Sequence, residues 1–208
     1  IIRAVNNVSF TLNKGERLGL VGESGCGKST LTRALLGLEE IQEGEIRVSG
    51  GVVSKNNETS FASRKSMQVV FQDPFGSFNP RHKVSKLISE PLFLDKKIIG
   101  EEDLNDLIIN TLVSVGLSAD DRNKYIHEFS GGQRQRIAIA RALIVKPEII
   151  IFDEAVSALD VSVRAQILDL LANLCKTLNL TYIFISHDLS VVRTITDKVL
   201  VMKNGEII

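Results

Sequence analysis

The chain has 208 residues, 44% hydrophobic and 24% charged, a balance that fits one or two globular domains and excludes a disordered or collagen-like segment. Lys plus Arg number 25 and so do Asp plus Glu, so no overall basic field recruits nucleic acid or anionic lipid. The two cysteines, Cys26 and Cys175, are too few for a disulfide framework or a tetrahedral zinc site, and they point to a reducing, cytosolic compartment.

In chain order, Val8 to Phe10 and Arg17 to Val21 read as strands. The second runs into a Gly-rich turn and then a helical stretch, Lys28 to Leu36, that Gly37 is placed to stop. Gly44 to Val53 reads as a strand or hairpin, and the Asn, Ser and Lys-rich stretch Ser54 to Ser66 as a loop. Helical spacing recurs through Leu104, Leu107, Ile108, Leu112 and Val115, and again through Ile137, Ile139, Ala140, Leu143 and Ile144. Glu101, Glu102 and Asp103 are expected at the positive end of the first of these helices. Strands resume at Ile149 to Phe152, a long amphipathic helix carries Ile167, Leu170, Leu171, Leu174 and Leu178, and Tyr182 to Ile185 and Val199 to Met202 close the pattern. Buried strands alternating with helices imply a mainly parallel sheet covered on both faces, with a helical insertion over roughly 80–145. No apolar run reaches the roughly 18 residues of a membrane helix. Starting at Ile1-Ile2 and ending at Ile207-Ile208, the sequence reads as an excised domain.

Gly22-Glu23-Ser24-Gly25-Cys26-Gly27-Lys28-Ser29 fits G-x-x-x-x-G-K-[ST] in the context that motif requires, a strand before and a helix after. Glycines let backbone N–H groups of this loop and of Thr30 curl round phosphate oxygens. Lys28 reaches the β- and γ-phosphates, and the Ser29 hydroxyl can hold Mg²⁺. Ile149-Ile150-Ile151-Phe152-Asp153-Glu154 ends a buried strand in two carboxylates, at the strand end where α/β sheets gather ligands. Asp153 is placed to organise Mg²⁺ and Glu154 to polarise a water. Ser130, Gly131, Gly132 and Gln133 open a periodic helix. They can cap it, or they can form a second anion-binding helix start whose phosphate belongs to another copy.

These motifs, with Ser157-Ala158-Leu159-Asp160 and Ser186-His187-Asp188, stand in the order of an ABC transporter nucleotide-binding domain, and the resemblance covers essentially the whole chain. It implies a P-loop NTPase core of the RecA-like α/β class, with a small antiparallel β subdomain and an inserted α-helical subdomain. The core and β parts would take about 1–79 and 146–208, the helical part about 80–145. By the same resemblance Gln72 is the Q-loop glutamine, which helps arrange Mg²⁺, and Ser130 to Gln133 are the signature. Asp160 is then the D-loop aspartate and His187 the switch histidine. The implied cofactors are ATP and Mg²⁺. The implied partners are a second such domain, bound head to tail, and permease subunits, and the implied location is the cytoplasmic membrane face.

Val70 to Arg81 and Glu128 to Arg136 are similar to the dipeptide, oligopeptide and nickel importer branch, in which the region after Gln72, here Phe75 to Val84, meets the permease. In this branch Phe129 commonly replaces the Leu that opens the signature. Ala155 stands where the family often has Pro. The adenine-stacking aromatic of the family would precede Ala4. A soluble ABC ATPase acting on nucleic acid or the ribosome is the alternative. It predicts a coiled-coil or zinc insertion or a basic arm, and none is visible in the sequence. Cys26 reads as small loop packing and Cys175 as core. His82 and His127 read as solvated.

Overall fold

The computed structural model describes residues 4–53, 66–94 and 100–208. Ile1, Ile2 and all but the last residue of the Ser54 to Ser66 loop lie outside the described residues. The chain divides into two compact units, one of residues 1–69, 148–154 and 178–208, the other of 70–147 and 155–177.

The first unit is built on β1 (Arg17–Val21), β5 (Ile149–Asp153), β6 (Thr181–Ser186) and β7 (Lys198–Lys203). Its sheet has the order β4-β5-β6-β1-β7-β8, where β4 is Met67–Phe71 and β8 is Glu206–Ile207. β1 lies parallel to both neighbours, Leu18 opposite Ile183 on one side and Lys198 on the other. Both faces of these central strands are covered, which is why β5 and β6 read as continuous apolar runs rather than alternating ones. Leu18 and Leu20 join a core with Leu31 and Leu35 of α1 (Lys28–Leu35), whereas Gly19, on the opposite face, allows close approach of α6 (Leu189–Ile195). A Cβ on Gly19 would sit 2.1 Å from Val192 Cγ1. Gly37, at φ 67, follows the end of α1 as its sequence position suggested.

β2 (Ile46–Val48) and β3 (Gly51–Val53) pair antiparallel, as the hairpin reading expected. Val8 to Phe10 is a correction, because it forms no strand. Its alternation is real, with Val8, Phe10 and Leu12 packed against the core and Ser9 and Thr11 exposed, but alternation reports a half-buried extended segment and not a ladder.

The second unit contains α2 (Val84–Ser89), α3 (Glu101–Ser114), α4 (Gly131–Leu143) and nearly all of α5 (Val161–Leu178). α2, α3 and α4 pack against one another around Val84, Leu87, Leu112 and Ile137, all fully buried. Each such side chain contributes about 1.5–3 kcal/mol relative to exposure. Glu101, Glu102 and Asp103 occupy the first turn of α3, as expected. At its other end Gly116 (φ 74) turns the chain and Arg136 donates to the Val115 carbonyl at 2.6 Å. Cys26 and Cys175 are buried. No helix among the described residues is long and apolar enough to cross a membrane.

Candidate functional site

The turn between β1 and α1 is shaped by backbone demands. Gly25 (φ 81) and Gly27 (φ 110) occupy the left-handed region. A Cβ on Gly27 would lie 2.2 Å from the Ala4 carbonyl oxygen, and one on Gly22 2.3 Å from that of Met202. Lys28 is 6% exposed, and its ammonium donates to the carbonyls of Gly22 (2.7 Å) and Glu23 (2.9 Å), with Cys26 Sγ 3.8 Å away. No side chain caps α1 and its first turn carries no acid, so the helix start keeps its N–H groups and partial positive charge for an anion. Ser24 and Ser29 are exposed and Thr30 is half-buried.

β5 and β6 end beside this loop in sheet order. Burial, then the neighbouring Glu154 charge, raise the Asp153 pKa, and Lys28 and Arg33 oppose them. A carboxylate in that state gains from a nearby cation. Glu154 has φ 51, which turns the chain sharply out of the strand, while its N–H still donates to the Ile185 carbonyl at 3.0 Å. Its Oε1 lies 3.6 Å from His187 Nδ1. His187 is held between buried Ser186, whose hydroxyl accepts the Asp188 N–H at 3.0 Å, and Asp188 itself, which caps α6 by accepting from Ser190 N. The loop thus fixes the ends of a segment whose middle side chain stays 60% exposed.

Within the second unit Gln72 is exposed just after β4. Ser130 and Gln133 form a capping box on α4. The Ser130 hydroxyl accepts from Gln133 N (3.4 Å), and Gln133 Oε1 accepts from Ser130 N (3.0 Å). Gly131 is exposed. Gly132 is required by packing, since a Cβ there would lie 2.4 Å from Val163 Cγ1 in the first turn of α5. Exposed Asp160 starts α5 by accepting from Val163 N (3.0 Å) and the Ser162 hydroxyl (3.2 Å). The Val163 bond above all holds its carboxyl below the usual range. The structure therefore brings together Gly22 to Thr30, Asp153, Glu154 and His187 in one unit, and Gln72, Ser130 to Gln133 and Asp160 in the other.

Residues 5–157 match the ABC transporter family. The chain belongs to that family. The dipeptide transport ATP-binding protein DppF of Haemophilus influenzae is 48% identical over 100% of this chain and 63% of its own length. The oligopeptide transport ATP-binding protein AppF of Bacillus subtilis is 51% identical over 99% of this chain and 63% of its own. The chain therefore spans under two thirds of the length of these relatives. Among solved structures, the dimeric post-hydrolysis state of the ATP-binding cassette MJ0796, bound to ADP and Pi, matches with a TM-score of 0.84. It is 28% identical over 98% of this chain and 88% of that one.

Two features of this family member escaped sequence reasoning. The hairpin of β7 and β8 turns at Asn204 (φ 49) and Gly205 (φ 84) and buttresses the loop between β1 and α1, Gly205 N donating to the Cys26 carbonyl at 2.9 Å. The Asn-Gly pair was the available signal. His82, expected to be solvated, is instead half-buried with Nδ1 3.2 Å from Glu90 Oε1, because the short helix α2 folds Glu90 back over it. His127 is exposed, stacked on Tyr125.

Proposed function

We propose that the chain binds ATP and hydrolyses it to ADP and phosphate as the nucleotide-binding part of a membrane transporter whose cargo is peptide. One observation carries the reading. The phosphate-type loop with buried Lys28, the Asp153 and Glu154 pair, and His187 follow β1, β5 and β6, three adjacent parallel strands, at their carboxyl ends. The names of the relatives above support peptide as cargo, and neither of those names favours the nucleic-acid alternative.

In this reading the N–H groups of Gly22 to Thr30 cradle the phosphates, and Lys28 exchanges its bonds to the Gly22 and Glu23 carbonyls for β- and γ-phosphate oxygens. Ser29, Gln72 and Asp153 would hold Mg²⁺, which when bound neutralises phosphate charge. The raised Asp153 pKa, opposed by nearby cations, fits that role. Glu154 takes the proton of the attacking water, and His187 orients the γ-phosphate side of the site. Ser130 to Gln133, with Asp160, complete the nucleotide site of a second copy joined head to tail. Phe75 to Val84 would meet the permease at the cytoplasmic face of the membrane.

Calorimetry with Mg-ATP on the full-length protein tests this. Lys28→Ala removes a buried charged donor, about 2–5 kcal/mol, so affinity falls by roughly 30-fold to a few thousand-fold. An unaltered protein that binds neither ATP nor ADP contradicts the reading.

A further inference from the structure

The second unit sets two guanidinium groups on aromatic rings. Arg134 and Arg141 lie two turns apart on one face of α4, at a spacing of about 10 Å. Phe75 and Phe78 bracket a single 3₁₀ turn, Phe75–Ser77, in the segment that follows Gln72. Arg134 Cζ is 4.7 Å from the Phe75 ring centroid and Arg141 Cζ is 4.6 Å from that of Phe78. Arg141 also donates to the Ser77 carbonyl (3.1 Å) and hydroxyl (2.9 Å), so it holds both the ring and the main chain of the turn. Arg134 donates from Nε to the Ile126 carbonyl at 3.2 Å, three residues before the Phe129 that leads into the Ser130 cap.

Ordinary apolar packing would bury Phe78 equally well, but it would not fix the direction of the turn. A planar fork stacked on a ring and bonded to the backbone does so. Burial opposes the charge of Arg141 and Glu90 supports it. A cation is thus kept where desolvation works against it, which an apolar side chain would have avoided.

We infer that Arg134 and Arg141 are positioning residues that join the segment after Gln72 to the helix beginning at Ser130, so that displacement of Phe75 to Phe78 carries Ser130 to Gln133 with it. The inference rests on the proposed function, in which the first segment meets the permease and the helix start meets the nucleotide of a second copy. Neither arginine belongs to the phosphate site. Their loss therefore separates the transmission of movement from the binding of nucleotide.

The test uses the full-length protein assembled with its permease in proteoliposomes. Arg141→Ala should lower transport and cargo-stimulated hydrolysis about tenfold, leaving the basal rate and Mg-ATP affinity within about twofold. Arg141→Lys should not rescue, because an ammonium cannot stack and fork together, whereas Phe78→Tyr should keep most of the coupled activity. Coupled activity within twofold of the unaltered protein overturns the inference. So does a parallel fall of basal and coupled rates with a lowered Tm, which is the mark of a merely structural role. Lys28→Ala in the same preparation reports on the function reading, since an unaltered protein without ATP-dependent turnover fails that reading and not this one. The clamp is judged independently by unfolding. The Arg141→Ala, Phe78→Ala double variant should lose less stability than the two singles together, since the ring–guanidinium contact is removed only once, and fully additive losses overturn the clamp.

Discussion

At α1 the first-turn N–H groups have no side-chain partner, whereas at α4 the Ser130 hydroxyl and the Gln133 amide already form a closed capping box. Both helix starts are rich in glycine, yet the glycines answer different needs. Gly25 and Gly27 adopt positive φ, and Gly27 runs against the backbone of Ala4. Gly132 has no such φ and only makes room for the Val163 side chain. One helix start is an open donor cradle set by local backbone geometry. The other is a stable helix end, so an anion arriving there competes with an intact cap. That contrast fits a division in which the first start grips nucleotide within one copy and the second engages only when a second copy presents its phosphate.

Substitutions at the glycines sharpen the comparison most. Gly27→Ala meets both a carbonyl and a forbidden φ, so a loss of roughly 3 kcal/mol or more of stability is expected, which trimming a neighbouring side chain will not repair. Gly132→Ala should lose about 1–3 kcal/mol and recover much of it when combined with Val163→Ala, as read by denaturant unfolding. A Gly132→Ala loss that Val163→Ala leaves untouched would break the distinction.

Asp153 tests the electrostatics of the open site. Its folded pKa is raised above the ordinary carboxylate value by burial and by Glu154. The stability tied to its protonated form is thus fully present below about pH 3.8 and is lost as pH rises through the folded value. Asp153→Asn removes that loss. The nucleotide-free variant should therefore be more stable than the parent at pH 7, with the gain vanishing toward pH 3.5, while its Mg-ATP affinity falls. Thermal unfolding across that range measures the first effect, and a gain that grows toward acid would reverse the sign. The smallest effect is expected at the closed start, where Ser130→Ala removes a cap worth about 1 kcal/mol and leaves nucleotide binding by a single copy unchanged.

Much of the first region was legible because its requirements are local. A strand, glycines at fixed offsets and Lys-Ser at a helix start are neighbours in sequence, and β1, β5 and β6 announce themselves as apolar runs because both their faces are buried. Val8 to Phe10 misled because alternation records facing and not pairing. The hold of Arg134 and Arg141 on Phe75 and Phe78 was not legible, since charge on a helix surface normally signals solvent and the partners lie some 60 residues away. For Gly132 the motif was readable but its physical cause was not, as Val163 belongs to the next helix. The left-handed backbone at Glu154 also had no local sign, because a glutamate seldom adopts it.

The most direct measurement of the central claim is Glu154→Gln in the full-length protein, followed by phosphate release and by light scattering at saturating nucleotide. The change keeps the side chain's size and removes its basicity. Hydrolysis should fall by roughly 10² to 10⁴ while Mg-ATP still binds. With turnover blocked, each bound ATP would in the proposed arrangement link Lys28 of one copy to Ser130 to Gln133 of the other, so a dimer should accumulate with Mg-ATP and not with Mg-ADP. Hydrolysis at the unaltered rate would show that Glu154 is not the base. An inactive variant that stays monomeric with ATP demonstrably bound would contradict the head-to-tail arrangement on which the account rests.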